Sequence, residues 1–319
     1  MAARLWEPGM SFDRVETFHT PSDAALRLYR KEAQEPRGVV QINHGLAEHA
    51  GRYARFAQAL AERGYHTLAH DHRGHGATTA PGAPLGRFAQ TDGARLVLED
   101  AAAVLDLAAK DYPGLLVICF GHSMGGLIAL NLVQRFPEKM QAAAIWNANF
   151  SAGLQGRLAR ALLGLERFRM GSDVPSQILP RLTFRAWGKA IPHARTEFDW
   201  LSHDASEVDA YIADPLCGWD ASVSLWQDLF ALIFAGADDA GFKSVPRTLP
   251  LQLVGGLEDP ATEDGKATRA LAERLEQLGF SNLKTRLYER TRHESLNELN
   301  RNIITADFLA WADRVTATR

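Results

Sequence analysis

The sequence has few of the features that mark secreted, zinc-binding or membrane-spanning proteins. Its 319 residues include only two cysteines, Cys119 and Cys217, so neither a disulfide framework nor a cysteine-based zinc site is expected. No apolar run approaches the roughly 20 residues that cross a bilayer. Residues 1–11 lack the basic start and apolar stretch of a signal peptide, which predicts a cytoplasmic location by default.

An excess of charge of one sign is also missing. The chain has 35 basic and 38 acidic residues, which leaves a formal net charge of -3. This balance gives no reason to expect a nucleic-acid partner and argues against an electrostatic membrane anchor. Hydrophobic residues make up 46% and charged residues 23%, values typical of a soluble globular enzyme with one large domain or two small ones.

The first half of the chain alternates between strand-like apolar runs and helical patterns. Strands are predicted at residues 39–43, 65–70, 115–120 and 142–146, and helices at residues 53–63, 92–112 and 127–136. Alternating strands and helices indicate a parallel sheet with helices on both faces. The same alternation resumes near the C-terminus, with strands at residues 249–254 and 283–288 and helices at residues 265–278 and 301–315.

Residues 150–236 interrupt this alternation. Leucines recur there at helical spacing (Leu154, Leu158, Leu162, Leu165), with arginines between them that are expected to be solvated. Four of the seven tryptophans also fall in this segment, where core positions are favoured over a substrate platform. We therefore predict an α/β core of residues 1–149 and 237–319, with residues 150–236 inserted as a helical cap, or lid.

A single Gly-x-Ser-x-Gly motif, residues 121–125, lies between a predicted strand and a predicted helix. A nucleophile on a sharp strand-to-helix turn needs small neighbours two positions away, which Gly121 and Gly125 provide. The N-terminus of the following helix would help to hold negative charge at the reacting centre. The motif predicts Ser123 as a nucleophile, and a plain glycine-rich turn is the alternative.

A serine nucleophile needs a base, and the base needs an orienting carboxylate. His293 follows the last predicted strand and Asp259 follows the strand before it, so both lie at carboxyl ends of parallel strands, where active sites form. We predict His293 as the base and Asp259 as the acid. Glu258 is the nearest rival, and Asp238 and Asp239 are weaker ones because they precede the strand.

Acyl transfer also requires donors for the oxyanion. One is expected to be the backbone N–H of Met124, directly after the nucleophile. The other is expected to be that of Leu46, in the loop after the first core parallel strand, where Gly45 lets the backbone approach closely. A simple glycine turn is the alternative for this loop.

Four histidines close together in the chain raise the question of a metal site. They are His66, His70, His72 and His75. They straddle a strand and its loop, with no helical pairing and no partner cysteines, so no metal site is predicted.

Three motifs together resemble the monoacylglycerol lipase and lysophospholipase group of α/β hydrolases, also described as serine aminopeptidase-like. They are residues 44–53 (HGLAEHAGRY), 71–76 (DHRGHG) and 121–126 (GHSMGG). The first is fairly specific for this group, whereas the third is shared by many hydrolases. Residues 255–259 followed by His293 fit as well, and the resemblance covers about residues 11–150 and 235–315. In the insert only residues 211–215 (YIADP) are familiar.

The resemblance implies an α/β-hydrolase fold with Ser123, Asp259 and His293 as catalytic residues, and Leu46 and Met124 as oxyanion donors. It implies hydrolysis of carboxylic esters with a single acyl chain, such as monoacylglycerols or lysophospholipids, through an acyl-enzyme and without a cofactor. The expected partner is a small acyl ester or lipid, and transient contact of the cap with a membrane surface stays open. No oligomeric state is predicted.

Two alternatives remain from the sequence. The same residues could cleave another bond, in a thioester, an amide (an aminopeptidase) or a carbon–carbon linkage. An epoxide hydrolase or haloalkane dehalogenase would need an aspartate in place of Ser123. The other alternative is a non-catalytic binding protein, which would typically have lost one of the catalytic residues.

Overall fold

An eight-stranded sheet organises the part of the chain that this computed structural model describes, residues 11–151 and 153–317. The strands are β1 (Arg14–His19), β2 (Ala25–Lys31), β3 (Gly38–Asn43), β4 (Tyr65–His70), β5 (Leu116–His122), β6 (Ala142–Trp146), β7 (Leu251–Gly256) and β8 (Leu283–Tyr288). Their order is β1-β2-β4-β3-β5-β6-β7-β8. β3 to β8 pair in parallel, whereas β2 is antiparallel to β1 and β4, so the predicted mostly parallel sheet is confirmed.

Helices cover both faces of the sheet, which explains why β3 to β7 are buried along their whole length. The helices are α1 (Ala54–Glu62), α2 (Gly93–Asp111), α3 (Met124–Arg135), α4 (Leu154–Met170), α5 (Leu179–Leu182), α6 (Phe184–Ala190), α7 (Ala205–Ala213), α8 (Val223–Gly236), α9 (Lys266–Gln277) and α10 (Arg301–Ala317). α1 and α10 pack on one face around Phe56 and Phe308, and α2, α3 and α9 on the other around Val104, Leu132 and Leu275.

The two N-terminal strands are not among the predicted elements. In β2 the buried positions alternate with partly exposed ones, but one of the inward positions is Arg30, which hides the apolar alternation. Arg30 lies between the carboxylates of Glu16 and Asp111, at 2.6 and 2.7 Å. Its burial depends on partners distant in the chain, so a local hydrophobic pattern does not reveal this strand.

Between β6 and β7 the chain forms the five helices α4 to α8. α8 packs against α3 and contributes Leu225, Leu229 and Leu232 to the same hydrophobic cluster as the sheet helices. By contrast, α4 leaves several leucines exposed. Even so, α4 packs against α8 and buries Leu163 in the same cluster, so both ends of the segment contact the core. The role of residues 150–236 as a lid stays a prediction.

Residues 1–10, where the absence of a signal peptide is predicted, lie outside the described residues. In the described ranges, no helix combines the length and the apolar character that spanning a bilayer requires.

Candidate active site

The Gly-x-Ser-x-Gly motif forms a tight turn between β5 and α3. Ser123 has φ 55° and ψ -118°, a conformation that costs a non-glycine residue free energy. A Cβ at Gly125 would lie 1.9 Å from the carbonyl oxygen of Asn43, and one at Gly121 would lie 2.0 Å from that of Gly125. Both positions therefore require glycine, as the steric interpretation of the motif predicts. α3 begins at Met124, earlier than the predicted start at residue 127.

The three residues predicted as a catalytic set lie in contact. His293 Nε2 is 2.8 Å from Ser123 Oγ, and His293 Nδ1 is 3.0 Å from both carboxylate oxygens of Asp259. His293 is 4% exposed and Asp259 is fully buried. This is the geometry in which an imidazole can take a proton from a serine hydroxyl while a carboxylate orients it.

Several donors converge on Asp259. Its carboxylate accepts hydrogen bonds from the Ala261 N–H (3.0 Å), the Thr262 hydroxyl (2.8 Å) and the Asn147 amide (3.2 Å). Burial alone would raise the pKa of Asp259, but the positive charge of His293 and these hydrogen bonds hold it below its ordinary value. The carboxylate therefore stays ionised next to the imidazole.

The rival carboxylates lie elsewhere. Glu258 Oε2 is 2.9 Å from His203 Nε2 and points away from His293. Asp238 caps a short 3₁₀ turn by accepting from the Ala240 N–H, and Asp239 pairs with Arg274. Among the acids considered from the sequence, Asp259 is the one that the structure brings to His293.

The two residues predicted to supply the oxyanion donors, Leu46 and Met124, line the same cavity as Ser123. A Cβ built on Gly45 would be 3.4 Å from Ser123 Cβ, which places this loop directly beside the nucleophile. In residues 11–151 and 153–317, neither the Leu46 nor the Met124 N–H donates to another protein group. Both are therefore available to an oxyanion.

A buried ionic cluster joins the loop that carries Leu46 to the loop that carries His293. Arg52 donates through Nη1 to Glu48, and through Nη1 and Nη2 to Glu294 at 2.6 and 2.7 Å. Glu48 also accepts from the Tyr53 hydroxyl at 2.8 Å and from the Gly45 N–H at 2.5 Å. The sequence motif of residues 44–53 contains four of these groups, but their role depends on Glu294, which lies 242 positions from Arg52.

His122, which precedes Ser123 in the Gly-x-Ser-x-Gly turn, also contacts both of these loops. Its Nε2–H donates to the backbone carbonyl of His293 at 2.8 Å, while its Nδ1 lies 3.7 Å from Glu48. Burial alone would lower the pKa of His122, but Glu48 and the His293 carbonyl raise it above its ordinary value. The turn that carries the nucleophile and the loop that carries the base are thus tied together.

The familiar segment of the insert packs on the loop that carries Leu46. The Tyr211 hydroxyl and the Gly218 N–H both donate to the Ala47 carbonyl, at 3.0 and 2.9 Å. His49 Nε2 lies 2.9 Å from Asp214. Ala47 has φ 54°, a conformation that these contacts help to maintain. This explains why the YIADP segment accompanies the motif of residues 44–53.

One group among the described residues has metal-ligand spacing. His49, Asp214 and Cys217 offer atoms within 4.8 Å of one another. However, His49 already accepts from the Gly51 N–H and pairs with Asp214. Burial raises the pKa of the Cys217 thiol despite the nearby charge of Arg52, so the sulfur stays protonated. A hydrogen-bonded pair next to a thiol accounts for this group.

The four histidines considered for a metal site separate into two environments. His66 Nδ1 accepts from the Ala33 N–H at the start of β4. His70, His72 and His75 are buried with ring-centre distances of 4.6 Å (His70–His72) and 6.5 Å (His72–His75). That they hold no metal stays a prediction.

An open cavity of about 820 Å³ extends from Ser123 and His293 into the inserted helices. Its walls are mostly apolar and come from α3, α8 and the helices at the start of the insert, chiefly Leu127, Leu158, Leu162, Leu179, Phe184, Trp187, Trp226, Leu229, Phe230 and Ile233. Trp187 and Trp226 therefore line the cavity, which the sequence leaves open for a few of these tryptophans, and Trp226 is also buried in the core. Trp200 is 4% exposed and packs 5.0 Å from the His293 ring, so it fits the expected core position.

The mouth of the cavity has a single carboxylate and no cation. Glu263, which is exposed, lines the cavity near Ala261, whereas no lysine or arginine is among the described residues that line it. An acyl chain would thus find apolar walls, and the described lining itself offers an anionic head group no cation.

A search of protein families finds that residues 34–300 match the family described as serine aminopeptidase, S33. The chain is 28% identical over 277 residues to the monoacylglycerol lipase of Mycolicibacterium smegmatis, covering 87% of this chain and 88% of that protein. It is also 28% identical over 302 residues to the monoglyceride lipase of Homo sapiens, covering 91% and 87% of the two chains.

Solved structures give the same fold. A thermostable carboxyl esterase from Bacillus coagulans, in complex with glycerol, superposes with a TM-score of 0.84 at 20% identity, covering 96% of this chain and 99% of that one. A soluble variant of the monoglyceride lipase from Saccharomyces cerevisiae superposes with a TM-score of 0.73 at 16% identity, covering 97% of each chain. At these identities the likeness demonstrates the α/β-hydrolase fold alone.

Proposed function

The chain belongs to the serine aminopeptidase S33 family of α/β hydrolases, and we propose that it cleaves neutral esters of a single acyl chain, monoacylglycerols above all. It is an ester hydrolase, like its lipase and esterase relatives. The observation that carries the narrower proposal is the apolar cavity beside Ser123, whose mouth holds a carboxylate and no cation.

The mechanism assigns one role to each group at Ser123. The Ser123 oxygen attacks the ester carbonyl, and His293 Nε2 takes the hydroxyl proton and then gives it to the leaving alcohol. Asp259 keeps the Nδ1–H tautomer and stabilises the imidazolium. The N–H groups of Leu46 and Met124 donate to the oxyanion. Water, deprotonated by His293, then attacks the acyl-enzyme and releases the fatty acid and the free serine.

The cavity supplies specificity by size and polarity. Its volume of about 820 Å³ lies in the range of roughly 300–1,000 Å³ that is usual for small-molecule sites. An acyl chain would bury its methylene groups against the leucines and aromatic rings of the insert, each contributing about 0.8 kcal/mol. A glycerol head group can leave its hydroxyls in water at the open mouth, whereas a phosphate would lie near Glu263, and the described lining contains no cation to offset that charge.

A second candidate function is an aminopeptidase, as the family description suggests. The favouring observation is again Glu263, because a carboxylate near the nucleophile could pair with the α-ammonium group of a peptide. The long apolar cavity beyond Ser123 argues against an aminopeptidase, because an aminoacyl group would leave much of this cavity unfilled.

Glu263→Gln separates the two candidates. For a monoacylglycerol lipase, removing the negative charge should raise the kcat/KM for lysophosphatidic acid about threefold, with little change for the matching monoacylglycerol. For an aminopeptidase, the same variant should lose activity on aminoacyl p-nitroanilides. We expect the first result, measured by fatty-acid release from substrates with the same acyl chain, and we expect the wild type to cleave aminoacyl amides poorly.

The neighbouring Asp264→Asn variant is the matched control, because this exposed carboxylate lies outside the cavity lining. It should leave both kcat/KM values unchanged. Equal turnover of lysophosphatidic acid and monoacylglycerol by the wild type would contradict the proposed head-group preference. A preference for aminoacyl amides would overturn the proposal as a whole.

We also infer that the cap docks on an anionic membrane surface through α4. One side of this helix exposes four apolar side chains: Leu154 (74% exposed), Leu158 (56%), Leu165 (53%) and Phe168 (88%). Leu154 and Leu158 also line the cavity, so this surface continues into the site. The helix carries four exposed arginines, Arg157, Arg160, Arg167 and Arg169, whereas its one acid, Glu166, is buried against Ser176.

This inference revises the expectation that the arginines are merely solvated. The near-neutral charge of the whole chain gives no anchor, but a local basic and apolar surface attracts acidic lipid at about 1 kcal/mol for each arginine. A lipid substrate would then pass from the bilayer to Ser123 without crossing water.

Replacing Arg157 and Arg160 together by glutamine should weaken binding to vesicles containing phosphatidylserine about 30-fold. Sedimentation with vesicles measures this, and binding should also fall as salt rises. The control is the Arg135→Gln/Arg269→Gln double variant, which removes two exposed arginines outside the cap. Equal weakening by the two double variants, or wild-type binding that ignores phosphatidylserine, would contradict docking through α4.

A further inference from the structure

His44 ends up in a fixed orientation because both of its ring nitrogens have a backbone partner. It follows β3 directly and is fully buried. The backbone N–H of His72 donates to His44 Nε2 at 3.0 Å. Since a backbone N–H can only donate, Nε2 carries no proton, and the single proton of the neutral ring must lie on Nδ1.

The neutral state of this ring is secure. Burial lowers the pKa of His44 to about 3, although the nearby Glu48 carboxylate opposes this shift. His44 is therefore uncharged throughout the neutral pH range, and its tautomer is set by His72. His44 cannot serve as a general base, because its one lone pair already accepts a hydrogen bond.

The Nδ1–H of His44 has one acceptor, the carbonyl oxygen of Gly45, at 2.7 Å. That carbonyl belongs to the peptide unit whose N–H is the N–H of Leu46. A planar peptide carries its C=O and N–H on opposite sides, so fixing the oxygen also fixes the direction of the N–H. A hydrogen bond to the oxygen also polarises the unit, which strengthens the N–H as a donor.

The adjoining peptide units are held too. The Gly45 N–H donates to Glu48 at 2.5 Å, and the Ala47 carbonyl accepts from Tyr211 and Gly218. The Leu46 N–H is left without a protein partner in the described part of the chain. The Gly45 N–H and the Ala47 carbonyl are thus hydrogen-bonded, and the Leu46 N–H between them stays free beside Ser123.

From these contacts we propose that His44 is a positioning residue for the oxyanion: its Nδ1–H holds and polarises the Gly45–Leu46 peptide so that the Leu46 N–H donates to the transition state. This proposal rests on the proposed function, because Leu46 matters only if Ser123 forms a tetrahedral intermediate. Its effect belongs to the transition state, since a ground-state ester carbonyl carries less negative charge than the oxyanion.

Two replacements of His44 separate this role from a structural one. In His44→Gln, the amide oxygen lies near the former Nε2 position and keeps the bond from His72, but the donor to Gly45 is lost. In His44→Asn, the amide nitrogen lies near the former Nδ1 position and keeps that donor. We expect kcat on a p-nitrophenyl ester to fall about 10- to 100-fold in His44→Gln with KM within about twofold, and to stay within about threefold in His44→Asn.

The affinity for a transition-state mimic provides the second measurement. An alkyl boronic acid forms a tetrahedral adduct with a serine nucleophile, so its inhibition constant in His44→Gln should rise by the same factor as kcat falls. His70→Phe is the control: His70 is as fully buried, lies in the same ring cluster, and makes no hydrogen bond through either nitrogen. It should change kcat and the inhibition constant little, whatever it does to the melting temperature.

The outcomes distinguish this inference from the proposed function. If kcat and boronic-acid affinity are unchanged in His44→Gln, or if His44→Asn and His44→Gln lose activity equally and in proportion to their loss of stability, His44 has no positioning role. If instead the wild-type enzyme is not labelled at Ser123 by a fluorophosphonate, the proposed function itself fails. Wild-type labelling together with a selective loss in His44→Gln supports both.

Discussion

Replacing Ser123 with alanine is expected to reduce kcat for a p-nitrophenyl ester by at least about 10⁴-fold while leaving the fold intact. The hydroxyl is the group that His293 Nε2 meets at 2.8 Å, and no other nucleophile is placed against this imidazole in the described part of the chain. The oxyanion donors and the cavity would remain, so a small residual rate over water is expected. Ester turnover followed at saturating substrate measures the effect.

We expect this variant to fold like the wild type, because alanine has to adopt the same backbone conformation, with φ 55°, that serine adopts at position 123. Ser151→Ala is the matched control, since Ser151 lines the same cavity without contacting His293. It should keep wild-type kcat and fluorophosphonate labelling. A Ser123→Ala enzyme that retains most of its turnover would contradict the nucleophile assignment, and a wild type that never reacts with the probe would favour a non-catalytic binding protein.

The features that could be predicted from the sequence are those with a local physical cause. The turn that carries Ser123 is recognised because a strained turn requires small residues at positions 121 and 125. The short Cβ distances at Gly121 and Gly125 confirm this requirement. The parallel strands are recognised because burial on both faces makes them continuously apolar. The order of Ser123, Asp259 and His293 follows from a sheet whose strands end at one edge.

What the sequence does not reveal depends on partners far apart in the chain. Arg52 needs Glu294, and Arg30 needs Asp111, before either charge can be buried. The positions of the tryptophans in the insert do not show which of them are buried in the core and which line a cavity. Trp226 is assigned to the cavity wall only once α8 is packed against α3. Substrate preference is of the same kind, since it rests on which side chains meet at the cavity mouth.

These distant contacts also divide the insert into two parts with different constraints. Tyr211 and Gly218 donate to the Ala47 carbonyl next to Leu46, so movement there would shift one of the two proposed oxyanion donors. α4 has no such tie to that loop and exposes its apolar side. If part of the insert acts as a lid, we therefore expect α4 to move and the segment near Tyr211 to stay.

The second large effect is expected from Asp259→Asn, which should lower kcat about 10⁴-fold near neutral pH. Three donors, from Asn147, Ala261 and Thr262, already point at this side chain and demand an oxygen. The asparagine oxygen would take the Oδ2 position, where it keeps the two bonds from Asn147 and Thr262. Its NH₂ group then takes the Oδ1 position, beside the Ala261 N–H and His293 Nδ1. The imidazole must then accept at Nδ1 and carry its proton on Nε2, where it faces Ser123 and cannot take the hydroxyl proton.

Glu258→Gln is the matched control for this change. It removes the neighbouring carboxylate that the sequence leaves as the nearest rival, but Glu258 contacts His203 rather than His293. Its kcat should stay within about twofold of the wild type, because loss of an exposed pair costs little. The reverse result, a large loss in Glu258→Gln and an active Asp259→Asn enzyme, would mean that His293 turns to Glu258 during catalysis. Asp259 is fully buried and ionised beside the imidazole. We therefore expect a large loss of kcat in Asp259→Asn and an active Glu258→Gln enzyme across the neutral pH range.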